Sequence, residues 1–314
     1  MSCDLAIAIL TFRRPTQLAA CLALVVEQVR GDSRVTIVIV DNDPAASARA
    51  VATEIATNSP IDVRYVVEPR PGIAAARGRA LREAEGADVL VFIDDDETPT
   101  SSWLHPLLET WQRTGAAAVM GRVVSVFDEP LEPWVAAGEF FRRRSMATGT
   151  EIAVGAAGNL LLDLVQVARL GIHFDDRLGL AAGEDSLFTS ELVRAGGRLA
   201  WCEESVALDH VPAERTTRRW VLDRAQSHGN TEVVVALLGA ASESTRRGIR
   251  VRAFMRGSAR IVVGTLRNGL GLLSGSLRHQ ARGSRTAYRG RGMLAAARGV
   301  VVHEYARERD RVDA

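Results

Sequence analysis

Asp94, Asp95, Asp96 and Glu97 stand side by side directly after the apolar run Val89-Leu90-Val91-Phe92-Ile93. Four adjacent acids repel one another unless something positive neutralises them. The usual solution is a divalent cation held by hard oxygen ligands. The run before them reads as a buried strand of a parallel sheet, and ligands of open α/β sheets bind outside the carboxyl ends of such strands. The alternative is a solvated acidic turn. Further along, Glu184 and Asp185 follow Gly183 at the start of a predicted helix, where the helix dipole favours acids in any case. Asp41 opens an Asp-Asn-Asp-Pro segment suited to a turn. His210 is a neutral-imidazole donor acceptable to Mn²⁺, although a lone histidine is more often structural.

Alternating elements must position these groups. Apolar runs at 5–10, 35–40, 63–67 and 89–93 predict four buried strands, and helical spacing predicts helices after Thr16 and over 45–57 and 73–85. Strand and helix alternate, which argues a parallel sheet with right-handed crossovers. The later part is less regular. A helix is predicted over 103–114, a strand region over 116–126, a loop over 127–148, a helix over 184–195, and short strands over 198–201 and 206–210. Gly155, Gly158 and Asn159 lie in a segment where the backbone can approach a ligand closely.

Composition removes several function classes. The 314 residues contain 39 basic side chains, all arginine. Without lysine, neither a Gly-Lys-Ser/Thr phosphate loop nor a lysine Schiff base is available. Cys3, Cys21 and Cys202 are scattered, so neither a disulfide framework nor a zinc site is expected, and reduced thiols fit a cytoplasmic protein. No secretory signal is read at the N-terminus, and no apolar stretch is long enough to span a bilayer; the best, 261–273, is interrupted by Arg267 and Asn268. The net charge of +1 hides an acidic body and an arginine-rich region from Thr245 onward, opposed there by Glu304, Glu308, Asp310 and Asp313 only. The first strand-to-helix turn, Thr11-Phe12-Arg13-Arg14-Pro15, has no glycine, so the dinucleotide Gly-x-Gly-x-x-Gly fingerprint is absent.

Six blocks in a fixed order resemble the inverting, metal-dependent GT-A glycosyltransferases of family 2, in particular the bacterial exopolysaccharide (succinoglycan-type) branch. They are Thr11–Pro15, Val40-Asp41-Asn42, the segment from Glu68 to Arg77, Phe92–Glu97, Gly183-Glu184-Asp185, and the segment from His210 to Arg215, across roughly the first 230 residues. The resemblance implies a GT-A fold: a mostly parallel, Rossmann-like sheet flanked by helices, here with an α-helical basic C-terminal appendage. It implies a catalytic domain over 1–240 and an amphipathic region over 241–314. It assigns the nucleotide to Thr11, Arg13, Asp41, Arg77, Asp94 and Asp95, with Gly158 and Asn159 lining the donor or acceptor pocket. It assigns Mn²⁺ or Mg²⁺ to Asp96 and Asp94, with His210 as a third ligand, and the catalytic base to Asp185, with Glu184 second. The family often carries Asn after the arginine at position 77; here it is Gly78. The Gln-x-x-Arg-Trp motif of processive synthases is unmatched before Trp220, because Thr216 holds the Gln position, so processivity is not expected.

The expected activity is transfer of a sugar from a nucleotide-diphosphate sugar, with UDP as first candidate, to a hydroxyl of a saccharide or lipid-linked glycan, in cell-surface polysaccharide or glycolipid assembly. Arg252, Arg256 and Arg260 recur at helical spacing, so the basic region suits an anionic membrane surface, and with it a peripheral position on the inner face of the cell membrane. Packing onto the acidic body is the alternative. No nucleic-acid motif is present. A sugar-phosphate nucleotidyltransferase would need a lysine-bearing glycine loop, which is missing. The rival from another class is a non-catalytic, membrane-associated glycan-assembly component that retains the fold.

Overall fold

The computed structural model describes residues 3–302. The final stretch of the basic region, 303–314, with Glu304, Glu308, Asp310 and Asp313, lies outside the described residues. The chain divides into two compact units. The first comprises Met1–Ser125, Arg143–Gly179 and Glu184–His210; the second comprises Val126–Arg142, Leu180–Gly183 and Val211–Ala314. The second unit therefore gathers residues from well before position 241, where the sequence placed its boundary.

The first unit begins with the expected alternation: β1 (Leu5–Thr11), α1 (Pro15–Val29), β2 (Val35–Asp41), α2 (Arg49–Asn58), β3 (Asp62–Val67), α3 (Ile73–Glu83) and β4 (Val89–Asp94). It continues with β5 (Glu97–Pro99), α4 (Leu104–Thr114) and β6 (Ala118–Val126), the last residue of which belongs to the second unit. Alternate side chains of each buried strand face opposite layers. Leu5, Ile7 and Ile9 meet Leu18 and Leu22 of α1 and Leu107 of α4 on one face, and Ala6, Ala8 and Leu10 meet Ala76 and Ala80 of α3 on the other.

The sheet order is β3-β2-β1-β4-β7-β6-β8-β5, where β7 is Asn159–Asp163 and β8 is Leu199–His210. The first four strands are parallel, as their continuous apolar runs imply; β7 then pairs antiparallel with β4. Register fixes what emerges at the strand ends. Thr11 is level with Asp41, and Leu10 with Asp94, so the acid-bearing termini of β2 and β4 flank the end of β1.

Three local expectations are corrected. The predicted loop over 127–148 contains a short helix, α5 (Pro133–Gly138), started by a proline at its first position. The two short strands over 198–201 and 206–210 are one strand, β8, whose Glu203 is held by Arg122 and Trp201 rather than interrupting it. The helix predicted from residue 45 starts at Arg49, because the Asp41 carboxylate closes the preceding turn onto the Ala48 amide. Beyond β7 come α6 (Leu164–Leu170) and α7 (Glu184–Arg194).

The second unit is helical: α5, α8 (Arg218–Leu238), α9 (Glu243–Leu273) and α10 (Leu277–Ala297). The last two form an antiparallel-type hairpin over a glycine seam. A Cβ on Gly264 would lie 2.5 Å from the Ala287 amide nitrogen, and one on Gly290 would lie 2.5 Å from the Gly257 carbonyl oxygen, so only glycine permits this approach. Among the described residues, no helix is long and apolar enough to cross a membrane.

Candidate active site

The acid cluster is sorted by which element each side chain meets. Asp95 turns inward, where Thr11 Oγ1 donates to it at 2.8 Å and Arg14 at 3.1 Å. Burial raises its pKa to about 6, Arg14 opposes that rise and Asp96 adds to it. Asp95 thus ties β4 to the β1–α1 turn. Asp96 takes a 2.8 Å hydrogen bond from the same Arg14 and keeps its carboxyl partly open. The turn that makes this possible has Arg13 at φ 56°, so Arg13 points out to Asp43 while Arg14 points in. The sequence singled out Arg13; the structure brings Arg14 to the acids.

Arg77, on α3, is 2% exposed and bonds on all sides. Its guanidinium donates to Glu184 at 3.1 Å, to the Ala157 carbonyl at 3.0 Å and to Asp94 at 3.3 Å. It thereby joins the end of β4 to the start of α7 and places the two carboxylate pairs in one site. Desolvation raises the pKa of Asp94; Arg77 pulls it down, and Asp96, Asp185 and Asp209 push it up again. Glu184 is buried and its pKa rises to about 7, first through burial and then through Asp185, against the pull of Arg77. Asp185 is less buried than Glu184 and sits beside it at the helix start.

Glu97, which the sequence placed in the acid run without a role, and Asp209, which it did not single out, complete the cluster. Glu97 is 5% exposed, and its Oε2 has no hydrogen-bond partner among the described residues. Its pKa is raised well above the usual range by burial, then by Asp94, Asp209 and Asp96. Asp209 is the cross-strand partner of Glu97 and is paired with Arg143. Only the antiparallel β5–β8 pairing brings these two together, and that pairing leaves no mark in either local sequence. Gly158 is required here: a Cβ would lie 2.8 Å from Glu97 Oε1 and 2.9 Å from Asp94 Oδ2.

The remaining predicted residues are held as follows. Asp41 is fully buried, and its oxygens accept from the Asp43 and Ala48 amides and the Tyr65 hydroxyl. Asn159 is fully buried and bonds to Trp103, Arg122 and Ser205. Asn42, which received no role from the sequence, donates to the Glu68 and Arg70 carbonyls and accepts from the Gly72 amide, which fixes the loop before α3. His210 is exposed, and its Nε2 lies 2.8 Å from Thr98 Oγ1.

Among the described residues, no three His, Cys, Asp or Glu side chains converge as a closed metal site. The donors nonetheless suit a hard cation. Asp94 and Asp96 emerge side by side, burial and then neighbouring carboxylates raise Asp94 and Glu97, and Glu97 Oε2 is a buried oxygen without a partner among the described residues.

Residues 6–163 match the profile of Glycosyl transferase family 2. The chain is also 34% identical over 225 residues to the succinoglycan biosynthesis protein ExoM of Rhizobium meliloti, covering 72% of each chain. This chain belongs to glycosyl transferase family 2. Solved structures agree in fold. The mannosyltransferase PcManGT from Pyrobaculum calidifontis, in complex with GDP-Man and Mn²⁺, matches with a TM-score of 0.65 and 17% identity over 94% of this chain and 87% of that one. S. aureus TarS 1-349 in complex with UDP matches with a TM-score of 0.55 and 13% identity over 97% of both chains. Against the longer TarS chain, the present chain covers 55% of its length. The GT-A fold expected from the ordered blocks is thus the fold of this family 2 member.

Proposed function

We propose that this glycosyltransferase moves a sugar from a nucleotide-diphosphate sugar, with UDP as the nucleotide, to a hydroxyl of a saccharide or lipid-linked glycan in polysaccharide assembly, with inversion at the anomeric carbon. The observation that carries this is the Arg77 bridge, which sets Asp94 and the Glu184–Asp185 pair around one space at the carboxyl end of β4. The donor classes named for PcManGT and TarS and the polysaccharide role named for ExoM support it.

Asp96 and Asp94 would hold Mn²⁺ or Mg²⁺, which when bound neutralises charge on the leaving diphosphate. Asp185 accepts the proton of the acceptor hydroxyl as the new C–O bond forms; the electron pair of the breaking anomeric C–O bond departs with the diphosphate. Glu184 is tied to Arg77, so its role is to hold that guanidinium and the start of α7. Asp95 and Arg14 fix the angle at which Asp96 leaves the strand, and Asp41 and Asn42 shape the loops on the nucleoside side. His210 as a third metal ligand requires its imidazole to leave Thr98.

Calorimetric titration with UDP, GDP and dTDP, each with Mn²⁺ and in metal-free buffer, tests the donor site on wild type and Asp96→Ala. Binding of UDP that is lost without metal or in the variant supports the reading. Preference for GDP or dTDP corrects the nucleotide, and no binding of any of the three with metal overturns the donor site.

A further inference from the structure

The helical second unit holds an open cleft of about 520 Å³ lined by Arg142, Arg260, Arg267, Arg282, Arg285 and Arg289. Among the described residues, Glu139 is the one acid on its wall, beside Thr286. The arrangement is built by two helices. Arg260 and Arg267 are seven residues apart on α9, and Arg282, Arg285 and Arg289 recur at three and four on α10, so each set occupies one helical face. The glycine seam then holds both faces close, because the backbones of α9 and α10 touch.

This concentration of like charge is costly, and the protein compensates only part of it. Glu139 accepts from Arg282 at 2.5 Å and from Arg142 at 3.3 Å, while its backbone carbonyl accepts from Arg285 at 3.2 Å. Arg289 keeps a buried Nε with no hydrogen-bond partner among the described residues. Burial and then neighbouring arginines lower the pKa of both Arg285 and Arg289, against an opposing pull from Glu139 on the first and Glu232 on the second. Arginine does not escape by losing its proton. A guanidinium fork matches phosphate oxygens in geometry, and several forks facing one space match more than one phosphate charge.

We propose that this cleft is a binding site for a phosphate-type anion carrying two or more negative charges, a diphosphate or the headgroup of an anionic lipid. It stands apart from the donor reading, since none of its residues belongs to the acid cluster. The outer face of α9 bears on the source of the anion: Val262, Leu266, Leu270 and Leu273 are all exposed there, which suits an acyl or prenyl chain attached to the phosphate.

The test uses the full chain in metal-free buffer, where pyrophosphate binding at a metal-dependent donor site is suppressed. Calorimetry with inorganic pyrophosphate is expected to show one site, weakened about tenfold or more in R282A/R285A and also in R260A/R267A. E139Q removes the competing carboxylate and is expected to tighten binding, an effect that loss of folding could not produce. R219A, with a side chain 93% exposed and outside the cleft, is the control. A second arm measures flotation with vesicles of phosphatidylglycerol and phosphatidylcholine against phosphatidylcholine alone. Vesicle binding lost in both R282A/R285A and L266S/L270S identifies a lipid headgroup; pyrophosphate binding without vesicle binding identifies a free or glycan-borne phosphate, and either supports the site. Pyrophosphate affinity unchanged in both arginine pairs, or vesicle binding that follows the leucines and ignores the arginines, overturns it.

Discussion

The two units concentrate charge of opposite sign and handle it differently. In the sheet unit, Asp94, Asp95, Asp96 and Glu184 are threaded by Arg14 and Arg77, each of which bonds to more than one carboxylate. In the helical unit, six arginines share a cleft with one acid among the described residues, Glu139. The first arrangement converts repulsion into rigid placement: an arginine that links two acids fixes the distance between the elements carrying them. The second keeps a surplus of positive charge among the described residues. Placement of this kind suits chemistry at defined atoms, whereas surplus charge suits capture of a counter-ion.

Several changes would sharpen or break this contrast. The largest effect is expected from Asp185→Asn, which keeps the shape and removes the proposed base. Its kcat should fall about 10²- to 10⁴-fold with donor affinity retained, measured by sugar transfer and nucleotide titration. A fall in donor affinity of the same size would move Asp185 from base to binding group. Arg77→Met should lower stability by about 3–5 kcal/mol at neutral pH, chiefly because the buried Glu184 loses its partner, the part-exposed Asp94 adding less. Urea unfolding reads this directly, and a small effect would mean that water reaches the pair. Gly264→Val probes the other unit. Its added methyls press on the Ala287 backbone and should cost about 1–3 kcal/mol, seen as a lower Tm.

The smallest expected effect is in pH dependence. The pKa of Asp95 is raised to about 6, so the folded state holds this proton more tightly than the unfolded chain, where a carboxyl titrates near about 4. Its contribution to stability is therefore present below about 4 and declines as the pH rises through about 6. Asp95→Asn should flatten that part of the stability–pH curve. An unchanged curve would mean that Arg14 keeps Asp95 ionised throughout.

Much of this frame was legible in the sequence because parallel strands buried on both faces must be apolar throughout, as residues 35–40 and 89–93 are. The acid cluster was legible for the same reason, since polar residues can begin only where burial ends. What stayed hidden depends on long-range pairing. Arg13 and Arg14 are identical in type, and only the positive φ at Arg13 decides which one faces the acids. Glu97 and Asp209 are 112 positions apart and meet through one antiparallel ladder. Helix α5 has six residues, too few to show a period. The C-terminal helices were visible through their arginine spacing, but the cleft requires knowing that glycines bring two such faces together.

The glycine seam has a consequence for how the chain reaches this structure. Gly257, Gly264 and Gly271 recur every seven residues, and their partners lie a short way along the sequence, on the next helix. Contacts so local close with little loss of chain entropy, whereas β5 and β8 must find each other across more than a hundred residues. The hairpin is therefore expected to form early and the site-bearing edge of the sheet late, so amide hydrogen exchange during refolding should protect α9 and α10 before β8.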